Sequence, residues 1–519
     1  MAGKRTNYLK GIRVSLACIF VFGITLMLCD FTGTTHRFLG WMAEVQFFTA
    51  VLGLVGGVSV ASLLIVLLTL LVTLLFGRVY CSFVCPLGVM QDIFTWWGSR
   101  KWQRKLSKRL GRNRWRYSPN RKPLRIALLA LFLVLLFTLH AYASIIEPYS
   151  AYARIVSALF APVYAWLNNV LAAIAEHYDS YAIYPVEVWL QSAAVLGISL
   201  VLFIGIGLWA FFHGRAWCNT VCPVGTILAV PAKHSLFRPT IDTDKCTGCH
   251  ACERNCKARC IDADTHTIDL SRCVTCFDCI TNCKEGALRY GLEGLKKVQN
   301  GSERITPPKQ GEPEGVSRRT FLSALGIIAA TGVAEAAHKT TDGGLAVIEN
   351  KVIPHRATPV KPAGSQSLRH FTQHCTSCQL CVTACPAHVL RPSGDLTTLM
   401  QPEMQFDRGY CIPGCTRCAD VCPTEAIRPI TKEEKTTIQV GHAVWIADNC
   451  VVNTDGVSCG NCARHCPTGA IIMVDNGSGL SIPAIDTEKC IGCGHCEYVC
   501  PSRPFSAIYV EGHEQHRSI

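Results

Sequence analysis

The 519-residue sequence predicts a membrane α-helical bundle, four spans plus one export or anchor helix, joined to small α+β domains built around cysteines. Three observations carry this reading. The mean hydropathy is +0.25 with 49% hydrophobic residues, high for a chain lying wholly in water. The long apolar stretches concentrate in the first 215 positions. Twenty-four of the 31 cysteines fall into six tight quartets, all beyond residue 245.

The spans come first. Residues 14–31, 47–76, 126–146 and 193–212 are each apolar enough to cross a hydrocarbon core, which takes roughly 20 helical residues. Lys4, Arg5, Lys10 and Arg13 hold the N-terminal tail inside, and an even number of crossings returns the chain to the cytoplasm at Gly214. Residues 151–175 are also apolar, but Pro162 interrupts them. A fifth crossing would strand the following basic residues outside, so this segment is expected as a re-entrant or interface-lying pair of short helices on the outer face. No cleavable leader is expected, because no small-residue site follows closely on the first apolar stretch.

The net charge of +13 is distributed in the same sense. Residues 78–125 hold 13 Lys and Arg against the single Asp92. Residues 144–190 hold Arg154 alone against Glu147, Glu176, Asp179 and Glu187. Lying between two spans, the basic run of residues 100–116 suits contact with membrane lipid, and no nucleic acid partner is expected.

The two membrane halves read as a parallel internal repeat. One motif runs Gly77-Arg78-Val79-Tyr80-Cys81, through Cys85-Pro86, to Gly88; the other runs Gly214-Arg215-Ala216-Trp217-Cys218, through Cys222-Pro223, to Gly225. Cysteines at i and i+4 share one helix face. If the repeats pack about a pseudo-twofold axis, Cys81, Cys85, Cys218 and Cys222 converge. Three readings stay open for them: an additional metal centre, a thiol/disulfide relay, or packing of helix ends. Cys18, Cys29 and Cys260 read as apolar fillers.

The quartets carry the chemistry. C-x2-C-x2-C-x3-C is the bacterial ferredoxin spacing, in which three thiolates hold one [4Fe–4S] cube and the fourth reaches its neighbour. Disulfide frameworks and zinc knuckles fit these runs less well. Crossed pairing sets Cys246, Cys249, Cys252 with Cys283, and Cys273, Cys276, Cys279 with Cys256. Further on it sets Cys375, Cys378, Cys381 with Cys422, and Cys411, Cys415, Cys418 with Cys385. The last pair is Cys450, Cys459, Cys462 with Cys500, and Cys490, Cys493, Cys496 with Cys466. Two spacings are irregular, Cys411-x3-Cys415 and Cys450-x8-Cys459, and an enlarged loop still brings a thiolate round. Six quartets imply six [4Fe–4S] clusters, in ferredoxin-like polyferredoxin domains.

Between the second and third quartets stands Ser317-Arg318-Arg319-Thr320-Phe321-Leu322, a twin-arginine signal followed at once by an apolar stretch. Its position divides the clusters into two cytoplasmic and four periplasmic. Ala334-Glu335-Ala336 resembles a cleavage site, but an uncleaved anchor is expected. The domain plan is therefore 1–237 membrane domain, 238–291 cytoplasmic two-cluster domain, 292–316 linker, 317–337 signal or anchor helix, 338–368 linker, and 369–519 periplasmic four-cluster domain. His140, Glu147 and Tyr149, near the outer end of the third span, are weak candidates for a quinone site, since ionisable groups at membrane depth serve function by default.

On the paired motifs, residues 10–290 resemble the NapH family of four-span membrane ferredoxins. From Arg318 onward the chain resembles the NapG/MauM family of exported four-cube ferredoxins, including the irregular third quartet of that exported part, begun by Cys450. The resemblance implies a fusion of two usually separate proteins that together act as a quinol dehydrogenase in anaerobic respiration. They oxidise menaquinol or ubiquinol and pass electrons to a periplasmic reductase or cytochrome. Two alternatives stand beside this: an electron-donating assembly factor for another metalloenzyme, and ferredoxin-fed flow to the periplasm or the quinone pool. No nucleophile–base constellation or phosphate loop makes the chain a self-contained enzyme.

Overall fold

The computed structural model describes residues 2–292 and 350–519, with 341–342 and 346–347, apart from 31, 33, 57–59, 99–115, 187, 189–191 and 478. Most of the basic run and all of residues 317–337, with the twin-arginine motif, lie outside the described residues.

The Ala2–Cys29 helix is the longest strut. Residues Tyr8–Cys29 are apolar and long enough to cross a membrane. Near one end Lys10 meets Asp278 of the 238–291 domain at 2.8 Å. The same helix also packs on Leu380–Ala384 of the C-terminal domain. At 1.5 Å per residue it is about 40 Å long, and it reaches from one cysteine-rich domain to the other.

Three of the expected membrane segments are built differently. Residues 47–76 divide into the Phe47–Gly56 and Val60–Phe76 helices, which pack on each other. Residues 57–59 between them lie outside the described residues. Residues 126–146 divide at Leu139 into Lys122–Thr138 and His140–Ile146, and the shorter helix folds back against the longer. Residues 151–175 are not a pair of short helices. They belong to a 30-residue helical run, Pro148–His177, apolar and long enough to span. Pro162 does not interrupt it, because a π-helical turn over Val156–Phe160 restarts the helix and leaves Pro162 in the next first turn. Ala193–His213 is the third helix of spanning length among the described residues. These helices and their exposed leucines, valines and isoleucines make the protein membrane-associated.

Different local hydrogen bonds fix the helix starts in the two halves. In the first half Phe47 N–H donates to Tyr80 Oη at 3.1 Å, and Tyr80 donates to Gln46 Oε1 at 2.9 Å. In the second, Glu147 caps the Pro148–Ile155 helix by accepting from the N–H groups of Tyr149 and Ser150.

The cysteine-rich domains use two-stranded ribbons. Arg238–Ile241 pairs antiparallel with Leu288–Gly291, closing the first domain on itself. In the second, Ile471–Asp475 pairs with Ser481–Ile485, and Ile438–Trp445 with Ile508–Ser518. The Leu368–His374 helix seats this domain on Phe47–Gly56 and His140–Ile146 of the membrane bundle.

Candidate functional site

The regular quartets share one local conformation. The residue before the second cysteine and the residue after it are both left-handed: Gly248 and His250, Thr275 and Phe277, Ser377 and Gln379, Gly492 and Gly494. This alternation curls C-x2-C-x2-C into an arc whose thiols point inward. For non-glycine residues the conformation costs about 1–2 kcal/mol each, and a β-branched Thr275 there is a strained choice. Gly494 allows no side chain, because a Cβ would collide with the Phe406 ring. The quartet begun by Cys411 lacks these positions, in keeping with its longer first spacing.

The arcs face cavities, and the crossed cysteine sets line them. Cys375, Cys378, Cys381 and Cys422 surround one of about 310 Å³. Cys385, Cys411, Cys415 and Cys418 surround another of about 370 Å³. In the first domain Cys256 joins Cys273, Cys276 and Cys279 around about 420 Å³. In the last pair the charge of Cys500 reaches Cys462, and that of Cys466 reaches Cys490 and Cys493. Among the described residues no three His, Cys, Asp or Glu side chains come as close together as a single ion requires. Four cysteines lining one mostly apolar hollow are the ligand set that a [4Fe–4S] cube takes. Cys260 is not a remote filler: its Sγ lies 3.6 Å from that of Cys256 and it lines the same cavity as Cys273.

The sites are strung in order. Cys252 and Cys283 pack with Cys279 around Ile280, joining the two sites of the first domain. In the C-terminal domain Cys381 lies within electrostatic reach of Cys418, and Cys496 of Cys462. Cys411 N–H donates to the Cys493 carbonyl at 2.9 Å. The chain of sites therefore begins with the Cys375 set and ends with the Cys450 set.

The helix leading into Cys375, Leu368–His374, packs on the His140–Ile146 helix of the bundle, and Glu147 and Tyr149 open the Pro148–Ile155 helix that follows. His140, Glu147 and Tyr149 are all buried, Tyr149 completely. The charge of Cys378 reaches Glu147, Tyr149 and Arg154, and that of His374 reaches His140. His140 Nε2, His374 Nε2, Tyr149 Oη and Ser150 Oγ are buried with no hydrogen-bond partner among the described residues. Arg154 and His374 were not singled out by sequence. Arg154 was legible only as the lone cation in an acidic stretch, and His374 only by its place beside Cys375.

On the other side of the bundle lies the paired motif. Cys81, Cys85, Cys218 and Cys222 are each 4% exposed and lie within reach of one another's charge. Arg78 donates to Asn219 Oδ1 at 2.7 Å and to the Cys218 carbonyl at 3.2 Å, while Arg215 donates to the Cys81 carbonyl. Each repeat's arginine thus holds the other repeat's first cysteine. Each motif's last glycine explains itself in the same way. A Cβ on Gly88 would collide with Cys81 O and crowd Arg215; on Gly225 it would collide with Cys218 O and sit 2.7 Å from Arg78. Asp92 binds Arg13, Arg215 and Lys257, fastening this centre to the first cysteine domain.

Cysteine-ringed cavities in series on an apolar helix bundle define a membrane-associated iron–sulfur electron-transfer protein. Residues 58–105 and 195–241 match the family described as a 4Fe-4S binding domain; residues 374–426, 410–470 and 456–503 match the 4Fe-4S dicluster domain. The chain is 34% identical over 171 residues to the methylamine utilization ferredoxin-type protein MauM of Methylophilus methylotrophus, covering 30% of this chain and 72% of that protein. It is 30% identical over 155 residues to the ferredoxin-type protein NapF of Escherichia coli K12, covering 30% and 87%. It is 28% identical over 185 residues to NapG of Haemophilus influenzae, covering 31% and 64%. The chain belongs to this MauM and NapF family of ferredoxin-type proteins. No solved structure matches it.

Proposed function

We propose that the protein oxidises a membrane quinol at the seam between its helix bundle and its C-terminal domain, and that electrons leave through four [4Fe–4S] sites on the periplasmic side. One observation carries this: His140 Nε2 and Tyr149 Oη of the bundle, and His374 Nε2 of the docked helix that leads into Cys375, are buried with no hydrogen-bond partner among the described residues. A quinol head group has two hydroxyl donors. His140 Nε2 and the Glu147 carboxylate are the acceptors placed to take their protons, and Tyr149 Oη orients the ring. The six crossed cysteine sets are the ligands, each bound cluster supplying one-electron transfer at a potential tuned by burial and hydrogen bonding. Surrounding apolar side chains exclude water. The twin-arginine segment would deliver residues 369–519 to the periplasm already loaded and keep them tethered, with residues 238–291 inside. The exit at the Cys450 set would face a periplasmic reductase or cytochrome.

Anaerobic mixing of the detergent-purified protein with menaquinol and with ubiquinol tests the reading. Reduction of the clusters by either is expected, slowed about tenfold or more by Tyr149→Phe or His140→Ala, a loss on the scale of one hydrogen bond to the bound head group. No reduction by any quinol would refute it.

A further inference from the structure

The four motif cysteines are absorbed neither by the six crossed sets nor by the quinol seam. We infer that Cys81, Cys85, Cys218 and Cys222 together hold one further iron–sulfur cluster, shared between the two repeats.

Ligand arithmetic comes first. A cluster of this kind takes four thiolates. Each segment matching a 4Fe-4S binding domain in the membrane half contains only two cysteines, Cys81 and Cys85 in one and Cys218 and Cys222 in the other. Neither half is sufficient, but the crossed arginines set the two buried cysteine pairs beside one another. The exchange of arginines between repeats fixes that meeting, since each guanidinium is anchored on the opposite cysteine's backbone.

The surroundings call for an anion that accepts hydrogen bonds. Arg78 Nε, Arg215 Nη2 and Gln91 Nε2 are fully buried and have no partner among the described residues. All are N–H donors, and none of the four thiols is a strong acceptor while protonated. Arg78 Nη2 lies 3.8 Å from Cys81 Sγ, and the Cys218 thiol donates to Gln91 Oε1 at 3.3 Å, so a thiolate there is met by turning the amide to present Nε2. Arg78 has no carboxylate among its hydrogen-bond partners. Asp92, the carboxylate that pairs with Arg215, is already shared with Arg13 and Lys257. A buried guanidinium without a counter-charge is costly. On assembly each thiol gives up its proton, and the four thiolates with the cluster's sulfides supply both the negative charge and the missing acceptors. Packing of helix ends would leave those donors and that charge unanswered.

Position gives the centre a use. On one side, Arg78 also donates to Ser271 O at 3.2 Å and Arg13 to Cys276 O at 3.5 Å, beside the Cys273 set. On the other, Tyr80, next to Cys81, bonds Gln46 and Phe47 at the start of the Phe47–Gly56 helix, on which the Leu368–His374 helix of the C-terminal domain docks. A centre here bridges the inner and outer series, accepting and passing on one electron at a time.

The test is independent of quinol. Full-length protein, purified anaerobically in detergent, is assayed for iron and acid-labile sulfide and for electron paramagnetic resonance after stepwise reduction. Six cubes account for about 24 irons. The expected result is an excess over that, with one additional spin system, both lost in Cys81→Ala and in Cys218→Ala while the remaining signals persist. Cys18→Ala should change nothing. Retention of the other signals shows that the variant has folded; if Cys81→Ala is not recovered, Cys222→Ser serves in its place. Equal iron and identical spectra in wild type and variants would overturn the inference. So would alkylation mapping that finds a Cys81–Cys85 or Cys218–Cys222 disulfide in the native protein.

Discussion

Arg78 and Arg215 show what a single residue can carry in this fold. Each is fully buried and binds the opposite repeat. The sequence displays the pair as part of a duplicated motif, so the repeat was legible. That the arginines cross over was not, because spacing along a chain says nothing about which copy a long side chain reaches. His516 makes a different prediction at this scale. Burial, and then the charge of His513, pull its imidazole down to about 4 from an ordinary 6.5. Both ring nitrogens are buried and unpaired among the described residues; His513 stacks on His442, with Arg517 also acting on His513. Between pH 6.5 and pH 4 the unfolded chain takes up a proton that the folded domain refuses, so stability falls as pH falls. His516→Gln should flatten the acid limb of thermal unfolding by about 1–2 kcal/mol, a value reduced for partial exposure.

At the scale of elements, the cysteine arcs were the most legible part. C-x2-C-x2-C fixes a short loop, and in three of the six sets the crossed cysteine lines the same cavity as its partners. The helices were less legible. Apolar composition located residues 47–76 and 126–146 but not their breaks, because a run apolar on every side has no periodicity to mark where it turns. Pro162 misled in the other direction, since a π turn accommodates it. The strand Ile508–Ser518 is tied to the helix His495–Val499 through Glu497, which accepts from Arg356 at 2.6 and 2.8 Å and from Val510 N–H at 2.9 Å. Burial raises the Glu497 carboxyl above its ordinary range, and Arg356 opposes that rise. Arg356→Met leaves the carboxylate buried alone and should cost about 3 kcal/mol in chemical denaturation of the C-terminal domain.

For the whole molecule, the order of sites matters more than their number. The Ala2–Cys29 helix, the docked Leu368–His374 helix and the shared Asp92 cluster set two cysteine domains on one bundle. Replacing Arg318 and Arg319 by lysine should keep residues 369–519 in the cytoplasm. Protease added to spheroplasts should then leave that domain intact, and should digest it in the unaltered protein. The central claim is that electrons enter at the seam, at the Cys375 set, and run outward. The most direct test mixes the oxidised protein with menaquinol and traps the first-reduced centre by rapid freezing for electron paramagnetic resonance, in wild type and in Cys378→Ser and Cys276→Ser variants. The account predicts that the earliest signal is altered by Cys378→Ser and untouched by Cys276→Ser. An earliest signal altered by Cys276→Ser alone would contradict it.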